Sequence, residues 1–200
     1  MSRPRRRSAP YLRIVEWLLL AVAVVCLEWY GLRMYEIHRR QAAASVALER
    51  SLSNPPPAAD ADSSTIPPDG LIGRLDIPRL NISAPVEAGE DNDVLDFAVG
   101  YLPDTPLPWK PGNSAFAAHR DRLFRPLERI RVGDDIRLST IHGVLQYKVS
   151  RTLIVNPEDL WVLDPRPDAN LTLITCFPFR YVGNAPRRFV VQARKIEAAH

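Results

Sequence analysis

Two hundred residues with 46% hydrophobic content hold one ordinary domain with a proper core, plus additional segments. The net charge of +3 is unevenly spread: residues 1–65 carry nine Lys/Arg against six Asp/Glu, while residues 66–200 carry seventeen of each. A neutral folded portion lacks the basic stripe of a nucleic-acid binder, and nineteen prolines with nine glycines favour short strands and many turns over long helices.

From the N-terminus, residues 1–13 read as a basic tail, with Arg3, Arg5, Arg6, Arg7 and Arg13. Residues 14–32 follow as an apolar stretch of about the 20 residues that a membrane-spanning helix wants. That reading requires Glu16 and Glu28 to lie near the two interfaces, beside Trp17, Trp29 and Tyr30. A cleaved signal peptide shares the charge-then-apolar plan, but no small-x-small site follows Leu27. Cys26 has the bulky Val25 before it, which speaks against lipidation and for a membrane-buried thiol. The expected arrangement is a single-pass anchor in the cell membrane, with a cytoplasmic N-terminus and the bulk of the chain outside. Residues 33–68 are expected as a helical extension rich in Ala, Glu and Arg, then a Pro-rich tether from Ser51 that cannot bury a core.

Residues 69–200 are expected to be the folded domain. Alternating or β-branched runs stand at Leu71–Ile77, Ser114–Ala118, Asp135–Thr140, Val144–Ser150, Leu153–Val155, Leu171–Thr175 and Arg188–Ala193. The Ile141-His142-Gly143 turn makes a hairpin of the third and fourth runs, and a short helical period is weakly present over Asp91–Phe97. About eight short strands with Pro/Gly punctuation predict a mainly β, closed or nearly closed barrel.

The chemistry gathers at Cys176. It ends the apolar run Leu171–Thr175 and is followed at once by Phe177-Pro178-Phe179, so a strand delivers a lone thiol to its own end. With Cys26 in a membrane segment, Cys176 has no partner for a disulfide. A thiolate nucleophile needs a proton partner and a donor for the oxyanion formed on attack. His119 ends an apolar strand and opens His119-Arg120-Asp121-Arg122, whereas His142 sits in an ordinary hairpin turn. Of Arg187 and Arg188, only one can face the thiol, because adjacent strand residues point to opposite faces. Zinc-ligand spacing is missing, and Asp91, Asp93 and Asp96 lack the glycine and terminal glutamate of a calcium loop. No cofactor and no metal are expected.

Ala117-Ala118-His119-Arg120-Asp121, Leu171–Cys176 and Ala185–Val191 together resemble a sortase, and the string Thr175–Gly183 resembles the class D sortases. The resemblance covers roughly residues 70–195, with Ala118 standing where many relatives carry glycine. It implies an eight-stranded sortase β-barrel with short helices. It also implies Cys176 as nucleophile, His119 as general acid/base and Arg188 as stabiliser of the tetrahedral oxyanion. The implied reaction is transpeptidation: cleavage of an LPxTG-like sorting signal through a thioacyl enzyme, then transfer to an amine acceptor. Surface protein anchoring and pilin joining are both such transfers. Secreted proteins bearing the signal are the implied partners, and nucleic acid is not one.

Leu160, Trp161 and Val162 are candidate apolar contacts for the signal, with Thr175 beside the thiol. Their segment, Asn156–Pro165, either folds over a substrate groove or simply caps the barrel. A mainly hydrolytic cysteine endopeptidase and a non-catalytic, membrane-tethered binding module are the rival readings.

Overall fold

The computed structural model describes residues 10–53, 66–68, 70–168 and 170–196. The chain falls into two compact units divided between Arg39 and Arg40. Residues 54–65, which include most of the expected tether, lie outside the described residues, as does much of the basic tail.

Helix α1 runs from Pro10 to Ser53, joining the expected apolar segment and its extension in one element. Proline suits a first helical position, where its missing N–H would be unpaired anyway. Apolar side chains from Tyr11 to Tyr35 are exposed on all sides of this helix. Among the described residues, however, no helix is long and apolar enough to cross a membrane. The crossing expected over 14–32 therefore has no support from the helix itself: Glu16 and Glu28 lie inside the apolar run, and Arg33 follows it.

The second unit contains a closed barrel of eight strands in the order β1-β2-β3-β4-β7-β8-β6-β5. These are β1 (Leu71–Ile77), β2 (Ile82–Ala88), β3 (Val99–Tyr101), β4 (Asn113–Ala117), β5 (Asp135–Thr140), β6 (Gly143–Val155), β7 (Asn170–Phe177) and β8 (Arg187–Ile196). Two pairings are parallel, β2 with β3 and β4 with β7. Alternation along each strand sends one set of side chains inward, where Leu75, Val86, Phe116, Leu138, Leu173 and Val191 are fully buried. The seam closes where β1 meets β5, with Arg74 opposite Ser139. Gly73 permits that approach, because a Cβ there would stand 2.2 Å from the Ser139 carbonyl oxygen.

The β5–β6 hairpin turns at Ile141–His142 as expected, with Thr140 opposite Gly143. There the His142 ring lies on Trp109, with centroids 4.3 Å apart. The runs expected at Val144–Ser150 and Leu153–Val155 are one long strand, β6, which bends at a register shift facing β8 between Val149 and Arg151. Strands β2 and β3 were not anticipated, and Asp91 caps the four-residue helix α2 (Asn92–Leu95) by accepting from the Val94 N–H.

Outside the barrel, a 3-10 turn at Leu160–Leu163 packs on β6, β7 and β8. Val162 joins Val155 and Val190 in a small apolar cluster with Leu153, Leu163 and Ile174 against it.

Candidate functional site

The site grows from the pairing of β4, β7 and β8. On β7 and β8 the cross-strand partners are Thr172 with Gln192, Ile174 with Val190, and Cys176 with Arg188. Because side chains alternate, these three pairs share the outer face of the sheet, and Leu171, Leu173 and Thr175 point into the barrel. Cys176 is a free, half-buried thiol at the end of this outer row, and Phe177 completes the strand.

On the other side of β7, parallel β4 runs in register from Asn113 opposite Asn170 to Ala117 opposite Ile174. The Ala118 N–H continues the ladder to the Ile174 carbonyl at 3.3 Å. The Thr175 hydroxyl donates to the Ala118 carbonyl at 2.7 Å. Carrying the register two residues past Ala117 sets His119 level with Cys176. Cys176 and Arg188 are thus paired across β7 and β8, and His119 follows the end of the adjoining strand β4 by two residues.

The backbone of His119 is then held by the turn that follows, since its carbonyl accepts from the Arg122 and Phe124 N–H groups at 3.3 and 3.2 Å. The imidazole is one-third exposed, with Nε2 3.9 Å from the Asp96 carboxylate. Arg122 binds the same carboxylate at 3.1 Å and the Asp96 carbonyl at 2.9 Å. Asp96 is a member of the site that sequence reading missed. It stood out only as one of three nearby aspartates, and nothing local links it to a histidine 23 positions on. Arg120 was also missed. Its Nη2 donates to the carbonyls of Tyr181 and Gly183 at 2.9 and 3.0 Å, tying the segment after His119 to the β7–β8 loop.

The two arginines separate as alternation requires. Arg187 is exposed and lies over the Phe177 ring, 5.4 Å from its centroid. Arg188 is half-buried, and it lines a groove of about 470 Å³ together with Ile174, Val190, Leu102, Pro106 and the 3-10 turn. Its Nη1 donates to the Arg187 and Ala185 carbonyls at 3.2 and 3.4 Å. The groove is walled by Leu160, which is 67% exposed, and by Val162, which is buried in the small cluster. Trp161 is about half-exposed on the same turn. Thr175 does not face the groove: it is buried, and its hydroxyl is committed to Ala118, so it braces the strand pair rather than offering a substrate contact.

The sequence matches the Sortase domain family over residues 75–196. The chain belongs to the sortase family. A sortase D of Bacillus subtilis (strain 168) is 27% identical over 195 residues, covering 92% of this chain and 98% of that protein. Among solved structures, a Clostridium perfringens sortase D5 transpeptidase aligns at a TM-score of 0.58 and 26% identity, over 64% of this chain and 79% of its own. Sortase C1 from Streptococcus suis aligns at 0.61 and 30% identity, over 66% of this chain and 75% of its own. Sortases are cysteine transpeptidases, and this chain is an enzyme of that type, with the mainly β closed barrel the resemblance implied.

Proposed function

We propose that this sortase cleaves an LPxTG-like sorting signal with Cys176 and transfers the acyl fragment to an amine. The Cys176 thiol gives its proton to His119 and the resulting thiolate attacks the scissile carbonyl carbon, forming a C–S bond and a tetrahedral oxyanion. The Arg188 guanidinium, a fixed charge on the neighbouring strand, stabilises that oxyanion. His119 protonates the departing amine as the C–N bond breaks, leaving a thioacyl enzyme. An incoming amine then attacks the thioester carbon, His119 takes its proton, and the C–S bond breaks to release a new amide. Covalent catalysis of this kind replaces one difficult amide exchange by two easier steps.

The supporting observation is that Arg188, the cross-strand partner of Cys176, lines an apolar-walled groove. In this reading Leu160 receives the apolar residues of the signal and Val162 supports it from beneath, with Trp161 exposed on the same turn. Residues 69–200 act as the catalytic domain, with 33–68 as extension and tether. The enzyme works at the cell surface. It is held at the membrane by the apolar side chains that α1 exposes over 14–32, since a helix apolar on all sides finds no compatible partner in water.

The full chain, incubated with an LPxTG-type peptide and a primary amine, should give the exchanged amide by mass spectrometry. An acyl-enzyme adduct should accumulate on Cys176 when amine is withheld. Absence of product across a panel of sorting signals would sink the reading, as would equal turnover by Cys176→Ala. Release of the free acid alone at saturating amine would reduce it to a hydrolase. Cell fractionation checks the membrane assignment: the full chain should sediment with membranes, and a chain lacking residues 1–39 should not.

A further inference from the structure

Four residues along β7 from Cys176, the same outer face carries a polar cleft of about 140 Å³, which no step of transpeptidation uses. At ~3.3 Å per residue the two places are roughly 13 Å apart. The floor of the cleft is built from polar side chains out of reach of water: Thr172 is 0% exposed, Asn113 1% and Gln192 4%. They are bonded to one another and to the groove wall. Thr172 donates to the Asn113 side-chain oxygen at 2.7 Å. The Asn113 and Gln192 amide nitrogens both donate to the Val162 carbonyl, at 3.0 and 3.1 Å.

Around this floor stand three arginines, Arg151, Arg166 and Arg194. The Gln192 side-chain oxygen accepts from Arg151 Nε at 2.7 Å and from Arg166 Nη2 at 3.2 Å. Two guanidinium groups are therefore drawn onto one neutral oxygen. Each brings five N–H donors, and these bonds use one apiece. Like charges drawn together repel, and a neutral amide, lacking a net charge, offsets only part of it. Among the described residues no ion pair links any of the three to a carboxylate, and no acidic residue lines the cleft. The arrangement has converging donors, excess positive charge, a rigid floor and room for a small ligand.

We propose that this cleft binds an oxyanion, a carboxylate or a phosphate group, held by forked N–H pairs from Arg151 and Arg166 with Arg194 closing the rim. Planar guanidinium forks match both groups bidentately. Because the floor also holds the Val162 carbonyl, the bound anion stiffens the 3-10 turn that walls the substrate groove.

The test is a titration of the full chain in detergent with inorganic phosphate at constant ionic strength, read as the thermal unfolding midpoint. Parallel arms use N-acetylalanine, for a peptide carboxylate, and short-chain phosphatidylglycerol, for a lipid phosphate. A saturable rise of the midpoint is expected with at least one of the three, and the stronger arm identifies the source. Arg166→Gln should weaken the apparent affinity at least tenfold, and so should Arg194→Gln, an exposed position whose change leaves the floor intact. Arg137→Gln, exposed on β5, should leave it unchanged. No saturable shift in any arm overturns the proposal, as does an equal shift in the Arg194→Gln protein.

Discussion

The two faces of the β7–β8 pair are built to opposite rules. Inward, Leu171 and Leu173 meet Ala193 and Val191, and every one of these is at most 1% exposed. Outward, the same strands present Thr172–Gln192, Ile174–Val190 and Cys176–Arg188, passing within five residues from a buried polar network to an apolar cluster to a half-buried thiol. The inner face has one task, excluding water, and gains by uniformity. The outer face divides among tasks and is held rigid by the inner one, so the thiol and the guanidinium are paired across two strands, and the imidazole stands two residues past the end of a third, its backbone held by the turn that follows. Stability and chemistry are thereby separated by the pleat, one residue apart along the chain.

Substitutions on alternate residues break this division most directly. Cys176→Ala should remove transpeptidation to the limit of detection, a loss of at least about 10⁴-fold if the thiol is the nucleophile, with the unfolding midpoint nearly unchanged. Three residues earlier, Leu173→Ala should do the reverse. Truncating a fully buried leucine costs about 2–5 kcal/mol, visible in denaturant titration as a lower midpoint at constant slope. At temperatures where the variant stays folded, it should retain turnover within a few-fold of wild type. A Leu173→Ala protein that is folded but inactive would show that the two faces are not independent.

Thr175 sharpens the comparison, because it faces inward yet touches the site. Its hydroxyl holds Ala118, the residue before His119. Thr175→Val should cost about 1 kcal/mol of stability. It should also lower kcat roughly tenfold with little change in KM, if register between His119 and Cys176 is what the bond maintains. Thr175→Ser, which restores the hydroxyl, should restore most of kcat; a merely structural role would leave kcat per folded molecule unchanged in both.

Much of this division was legible in the sequence. Period-two patterning marked β1 and β5 with their observed bounds, because both have one face in the core and one in water. The position of the thiol was legible as well, because it ends an apolar, β-branched run that the structure makes strand β7. Strands β2 and β3 were not. Ile82–Ala88 carries Pro85 in mid-run, and Val99–Tyr101 is too short for a period to show, so only barrel closure makes them strands. Asp96 and Arg120 were hidden for a related reason. Their roles come from contacts across 23 or more residues of sequence, which no local pattern records. The expected membrane crossing over 14–32 was not legible with the same clarity, because Glu16 and Glu28 stand inside the apolar run.

The smallest expected effect lies away from both faces, at the end of the barrel. Arg79, in the turn after β1, binds the nearly buried Asp134 carboxylate through Nε and Nη2, and the Arg131 N–H adds a bond of 2.8 Å. These contacts, led by the bond from Arg79, hold the Asp134 carboxyl below the usual carboxylate range. A carboxyl lowered in the folded state contributes stability that is complete above its unfolded value of about 3.9, and that is lost as pH falls through the lower folded value. Asp134→Asn should therefore lower the unfolding midpoint by a few degrees near neutral pH, with the gap from wild type closing as both are acidified towards pH 2. Turnover per folded molecule should not change, since neither face of β7–β8 includes this pair. A gap that stays constant down to pH 2 would mean that the carboxylate's charge is not what the Arg79 contact uses, and that Asp134 matters only by its shape.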